Sequence, residues 1–247
     1  MSENIVNPFD DAEEIAKKSM VLFFIIDQSG SMEGSKIGSL NTSMDEVIPE
    51  IRDIGEADAD IKVAVLTFSS GSQWMYQEPI PIEDFKWKNV TANGVTDLGD
   101  AFSKLAGKLS RNEFLKSPTI SFAPVMFLMS DGYPTDDYKE GLEKLKNNKW
   151  YKAGIKVALA IGEDADQDVL AEFTTSKEAV VTAYNGEALA KLIRFVTITS
   201  SQIGSKSMQL TDGSDENNIV TKQKAVEEQI TEMKNSGDIN NDFEAGW

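Results

Sequence analysis

The chain has 247 residues, enough for one large or two small packed domains, and carries 41 acidic against 24 basic side chains for a formal charge of −17. That balance repels nucleic-acid backbones and anionic membrane surfaces, and it suits a protein that binds cations or docks on basic surfaces. Cysteine and histidine are both absent, which removes disulfides, thiolate zinc sites and every His-dependent nucleophile, so any metal must be held by oxygen: magnesium, calcium or manganese.

Lys17-Lys18 followed by Met20–Ile26 imitates the charged and apolar parts of an export signal. The run ends after seven residues in Asp27, follows acids at Asp10, Asp11, Glu13 and Glu14, and has no small-residue cleavage motif behind it. No stretch approaches the roughly 20 apolar residues of a spanning helix. The expectation is an intracellular, cytoplasmic protein with no membrane partner.

Met20–Ile26 (MVLFFII) reads instead as a strand buried on both faces. Ile37, Leu40, Met44, Val47, Ile48, Ile51 and Ile54 then recur at spacings of three and four, one face of a helix, in which Pro49 is expected to introduce a kink or shift the end. Ile61–Phe68 is a second buried strand. Trp74–Ile82 carries two prolines and reads as an edge strand. Asp97–Phe114 places Leu98, Ala101, Phe102, Leu105, Ala106 and Leu109 on one helical face. Pro124–Ser130 is a third apolar strand, Tyr138–Lys149 a short charged helix, and Ile155–Ile161 a further strand. Asp166–Thr175 and Glu187–Gln202 read as helices, with Ala179–Ala183 a short strand between them.

Apolar strands alternating with helices predict an α/β fold: a doubly wound, mostly parallel sheet with helices on both faces and one antiparallel edge strand. Residues 1–18 read as an N-terminal extension and 19–204 as the folded domain. Residues 205–247 read as an acidic tail, with four lysines against nine acids. Val226, Ile230 and Met233 allow a helix over Val220–Met233, and the rest of the tail reads as solvated or disordered.

In a doubly wound fold, ligands sit beyond the C-terminal strand ends, near the point where strand order reverses. Asp27 and Asp131 both occupy that end. Asp27, Ser29 and Ser31 follow one another at alternate positions around a turn eased by Gly30 and Gly34. A second loop delivers Asp131-Gly132, and a third offers Thr96 ahead of a helix. Turn formation and helix capping are the ordinary uses of these residue types, and Thr135, Asp136 and Asp137 are assigned to capping the helix that follows them. The conjunction is less ordinary. Two carboxylates that end fully apolar strands, with three neutral hydroxyls, match the charge and oxygen donors of a hard divalent ion.

Asp27-x-Ser29-x-Ser31, Thr96 and Asp131-Gly132 together resemble the metal-ion-dependent adhesion site of von Willebrand factor A domains, over about residues 19–204. The stretches "FIIDQSGSMEGSKIGSLN", "GVTDLGDAF", "FLMSDGYPTDDY" and "IGEDADQDVLAEFT" resemble bacterial tellurite-resistance TerY-type proteins. The resemblance implies a Rossmann-like fold and a non-enzymatic, cation-dependent protein-binding module. It implies that Asp27, Ser29, Ser31, Thr96 and Asp131 hold Mg2+ (or Ca2+ or Mn2+), directly or through water, and that a partner's Asp or Glu carboxylate completes the shell. It further implies a stress or toxic-oxyanion system containing a protein kinase and a metal-dependent phosphatase. Met32, Glu33 and Tyr133 are candidates for the rim. The Ser/Thr-rich stretches "SEN" and "TITSSQIGSKS" offer phosphate acceptors, although such composition more often marks a solvated tail. The competing reading is a magnesium-dependent phosphoryl-transfer enzyme with Asp27 as nucleophile, but Ser29 stands where such enzymes place a second Asp. Nucleotide binding needs a glycine spacing that Gly30 and Gly34 do not provide.

Overall fold

The computed structural model describes residues 18–58, 60–115, 121–162, 165–183, 186–207 and 216–236. The expected extension before residue 18 and the segments 208–215 and 237–247 of the expected tail lie outside them.

Among the described residues, seven strands form one sheet: β1 (Ser19–Asp27), β2 (Asp60–Ser69), β3 (Gly71–Trp74), β4 (Ile80–Pro81), β5 (Val125–Ser130), β6 (Ile155–Ile161) and β7 (Val180–Ala183). Their spatial order is β3-β2-β1-β5-β6-β7, with β4 also against β2. All pairings are parallel except those of β3 and β4, so the fold is the predicted doubly wound one. The expected single edge strand is two fragments sharing one edge of β2. Ser69–Gly71 turns the chain straight back into β3. Pro79 and Pro81 limit β4 to two residues, because proline gives no donor to a ladder.

Successive β1 side chains point to opposite faces, and both faces are covered. Leu22, Phe24 and Ile26 pack with Leu40, Met44, Val47 and Ile51 of α1 (Ser35–Asp58) and Ile193 and Val196 of α6 (Gly186–Ser207). Phe23 and Ile25 face Phe102 and Leu105 of α2 (Leu98–Lys108), Leu142 of α3 (Tyr138–Lys146), Tyr151 of α4 (Lys149–Ala153) and Phe173 of α5 (Gln167–Thr174). β1 is therefore apolar from Met20 to Ile26 because it has no solvent side.

Pro49 lies inside α1 and does not end it. It is exposed, so the carbonyl left without a donor one turn earlier faces the wet side of the helix. The expected helix to Lys149 is broken at Asn147-Asn148. Asn148 Oδ1 accepts from Trp150 and Tyr151 N–H at 2.8 and 3.2 Å, starting α4 afresh. The helix expected to reach Phe114 stops at Lys108, and Phe114 and Leu115 enter the core from turns. The C-terminal helix α7 (Glu216–Ser236) is longer than its apolar spacing suggests. Val226 and Ile230 are buried in the core, and the Gln223 amide bonds both the N–H and the C=O of Lys156, at 3.0 and 3.1 Å. Among the described residues no helix is long and apolar enough to cross a membrane.

Candidate metal centre

Strand order reverses between β1 and β5, so the crevice between their C-terminal ends is where a ligand site is expected. Their register runs from Leu22 opposite Val125 to Ile26 opposite Met129, which brings Asp27 level with Ser130. The Ser130 hydroxyl donates to Asp27 Oδ2 at 2.6 Å and itself accepts from Gly132 N–H at 2.9 Å. The other carboxylate oxygen, Oδ1, accepts from Ser29 N–H at 2.8 Å. Asp27 is fully buried. Burial drives its carboxyl up from the ordinary 3.8 to about 6; hydrogen bonds from Ser130 and Ser29 pull the other way, and the charge of Asp131 adds to the rise.

The chain leaving Asp27 makes a single 3₁₀ turn at Gly30–Met32. It is held by Met32 N–H on Ser29 O and by the Met32 side chain, which inserts completely into the core. This corrects the expectation that Met32 lies at the rim. Ser29 is buried, Ser31 is exposed, and their hydroxyl oxygens converge to 3.0 Å. Glu33 is exposed, as a rim position requires.

The second loop is tied to the first through backbone. Asn93 N–H donates to Gln28 O at 2.8 Å, and Gly30 N–H to Gly94 O at 3.1 Å. Thr96, almost fully buried, joins the third loop twice: its N–H donates to Thr135 Oγ1 and its carbonyl accepts from Thr135 N–H, both at 2.9 Å. Thr135 is therefore a clamp between loops and not a cap of α3. Asp136 also works across loops, accepting from Gly99 N–H in the first turn of α2 at 2.8 Å. Asp97, at the N-cap position of that helix, accepts instead from Gly71 N–H at 2.7 Å. Of the three residues assigned to capping α3, Asp137 alone does so, accepting from Lys139 N–H at 3.3 Å.

Asp131 lies where the third loop starts, and its carbonyl accepts from Asp166 N–H at 2.8 Å. Gly132 has φ +79°, and a Cβ there would stand 2.5 Å from Asp166 O, so only glycine lets the loop lie this close. The Asp131 side chain is wholly buried, and neither carboxylate oxygen has a hydrogen-bond partner. Lys36 Nζ approaches Oδ2 to 3.5 Å as an ion pair. A buried carboxylate without hydrogen bonds is costly, and a second one beside it compounds the cost.

These residues fit a hard cation. The donors are all oxygen, two carry charge, and one acid is buried without the hydrogen bonds it needs. Among the described residues no group of three or more acids is placed to hold a metal, so a cation here would rest on two carboxylates and neutral hydroxyls. Val95 and Tyr133, each 47 % exposed, are the large exposed apolar side chains among the described residues, and each sits beside a site loop residue. Sequence reading missed Val95, Ser130, Lys36 and the Thr135 clamp. A polar residue closing an apolar strand one place before Asp131 was the available signal for Ser130.

The von Willebrand factor type A domain model matches residues 22–196. The chain belongs to that family. Family members are commonly protein-interaction modules, mostly without enzymatic activity. Solved structures share the fold at low identity. A von Willebrand factor type A protein from Catenulispora acidiphila is 18% identical over 74% of this chain and 43% of its own, with a TM-score of 0.55. The pilus adhesin SpaC from Lactobacillus rhamnosus GG is 13% identical over 78% and 31%, with a TM-score of 0.59. The PilB minor pilin from Streptococcus sanguinis is 17% identical over 76% and 62%, with a TM-score of 0.57. The chain thus spans less than two thirds of each of these proteins. No curated protein sequence matches it.

Proposed function

We propose that this domain is a divalent-cation-dependent protein-binding module. Asp27, Ser29, Ser31, Thr96 and Asp131 hold the ion, Mg2+ in the first instance, with Ca2+ and Mn2+ as the other candidates. The observation that carries this reading is Asp131: fully buried, without a hydrogen bond to either oxygen, and close enough to Asp27 to raise its pKa. A bound cation would supply local attraction for an anionic oxygen. Asp27 and Asp131 balance its charge, and the hydroxyls add donors without adding charge. The partner offers an Asp or Glu carboxylate, and Val95, Tyr133 and Glu33 border its approach. The chain's charge of −17 opposes an acidic partner at long range, but at physiological salt that repulsion fades beyond about 8 Å and contact chemistry decides.

The similarity of the loop sequences to TerY-type proteins supports placing the module in a bacterial, intracellular tellurite-resistance-like stress system with a kinase and phosphatase as partners. The phosphoryl-transfer alternative has no observation in its favour, since Ser29 and Ser130 engage both oxygens of Asp27.

Thermal melts of chelated protein under Mg2+ or Mn2+ titration test the metal. A rise in melting temperature is expected for wild type and not for Asp131→Asn, because a ligand that binds only the native state stabilises it. No rise in wild type, or the same rise in the variant, overturns the assignment. Capture of the partner should then disappear with EDTA and in Thr96→Ala.

A further inference from the structure

The two acids are not alone in the crevice. Lys36 reaches from the first turn of α1 to within 3.5 Å of Asp131 Oδ2, with its own side chain only 16% exposed. A helix N-terminus carries partial positive charge, so a cation in the first turn is disfavoured by the helix itself. What its ammonium approaches is the buried carboxylate whose oxygens have no hydrogen bond.

We propose that Lys36 is a tethered counter-cation of the metal centre, lowering the affinity for the divalent ion and setting the charge that the occupied site presents to a partner. This rests on the metal reading above. Two carboxylates and one ammonium sum to −1, so Lys36 stabilises the protein when no ion is bound. An arriving divalent ion meets one of two costs. If Lys36 stays, the two cations repel each other a few ångströms apart. If Lys36 swings away, its ion pair with Asp131 is lost. Both lower affinity. In the first case the occupied site totals +1, and a single partner carboxylate neutralises it; without Lys36 the occupied site is already neutral. Lys36 thus trades metal affinity for selectivity toward an anionic partner.

The test uses the full chain as wild type, Lys36→Gln and Lys36→Arg, with Mg2+ and Mn2+ as probes, followed by calorimetric titration and by melts in EDTA. Lys36→Gln is expected to bind either ion about tenfold more tightly or better, the effect of removing one charge at close range in a partly buried site. In EDTA it should melt below wild type, since Asp131 loses its counter-charge. Lys36→Arg should retain wild-type behaviour in both measurements. Equal or weaker ion binding by Lys36→Gln, with wild type responding normally, overturns the role of Lys36 and leaves the metal centre standing. No response in either wild type or Lys36→Gln overturns both. A response in Lys36→Gln alone would mean that the ammonium fully replaces the ion in wild type, which upholds the inference in its strongest form.

Discussion

Replacing Asp27 by asparagine should make the metal-free protein more stable, although it alters a buried residue that accepts two hydrogen bonds. The reason is the cost of its charge. The carboxyl moves from 3.8 to about 6 on folding, chiefly through burial, with Asp131 adding repulsion. At about 1.4 kcal/mol per pH unit, a rise of 2.2 units amounts to roughly 3 kcal/mol of destabilisation once the group is ionised in both states. Asparagine removes that cost. It still accepts from Ser29 N–H, but its amide must donate to Ser130 Oγ, which forces the Ser130 hydroxyl to find another acceptor. Allowing about 1 kcal/mol or more for that rearrangement leaves a net gain of about 1–2 kcal/mol. For a chain of this size that is a melting-temperature rise of about 2–8 °C.

The pH dependence separates this mechanism from a packing effect. The folded pKa lies above the unfolded one, so the native state holds the extra proton between them. Wild-type stability from this group is intact below pH 3.8 and is lost as pH rises through about 6. The variant should therefore be less stable than wild type by about 1 kcal/mol below pH 3.8, where only the rearrangement cost remains; it should overtake wild type within the window between 3.8 and about 6, and its gain should level off above pH 6–7. Urea melts in EDTA at half-unit steps measure it. With Mg2+ the order should invert, since an ion at 100 times its Kd stabilises wild type by about 2.7 kcal/mol and the variant by much less. A variant that is less stable than wild type at pH 7.5 in EDTA, or a difference independent of pH, refutes the reasoning.

Thr135→Ala removes the acceptor for Thr96 N–H, so ion affinity should fall by about 10–100-fold in calorimetric titration, with little change of melting temperature in EDTA. Gly141→Ala would place a Cβ 2.3 Å from Gly99 O, where α2 and α3 touch; urea midpoints should report a loss of about 1–3 kcal/mol or more. Gln223→Ala removes both bonds between α7 and the Lys156 backbone, and hydrogen exchange of α7 should accelerate by about tenfold while that of β1 stays unchanged.

What the sequence made legible follows from how local each cause is. β1, β5 and β6 stood out because strands covered on both faces are almost wholly apolar, Lys156 of β6 being the exception, and the acids at the ends of β1 and β5 stood out against that background. Helix ends were less legible. Leu109, Phe114 and Leu115 have the spacing and apolarity of a continuing helix, yet they reach the core from turns, and burial alone does not distinguish the two. Caps supplied from another loop were illegible. Nothing near Asp136 in sequence says that it will serve Gly99, and nothing near Thr135 points to Thr96. Ser130 depended on register, since its partner lies 103 residues away. Lys36 depended on where α1 begins relative to the strand-order reversal.

The same long-range bonds decide whether the buried acids matter. A carboxylate on a loose loop escapes its cost by turning to water. Asp131 is denied that relief, because its own carbonyl is held by Asp166 N–H and its loop by Thr135, whose hydroxyl accepts from Thr96 N–H and whose N–H donates to the Thr96 carbonyl. Asp27 is denied it because it ends β1 in register with Phe68 of β2 and its carboxylate is held by the Ser130 hydroxyl. The first and second loops are bonded to each other at Gly30 and Gly94 as well. With every loop fixed from the sheet outward, the charge of the two acids must be met in place, by Lys36 or by an ion. Freeing one loop should therefore weaken ion binding and, at the same time, lower the pKa of Asp27 back toward 3.8. Carbon-detected NMR titration of Asp27 in Thr135→Ala would show both effects together if rigidity is the cause. An unchanged Asp27 titration alongside weakened ion binding would place the cause in the lost Thr135 hold on Thr96 and not in the rigidity of the acids.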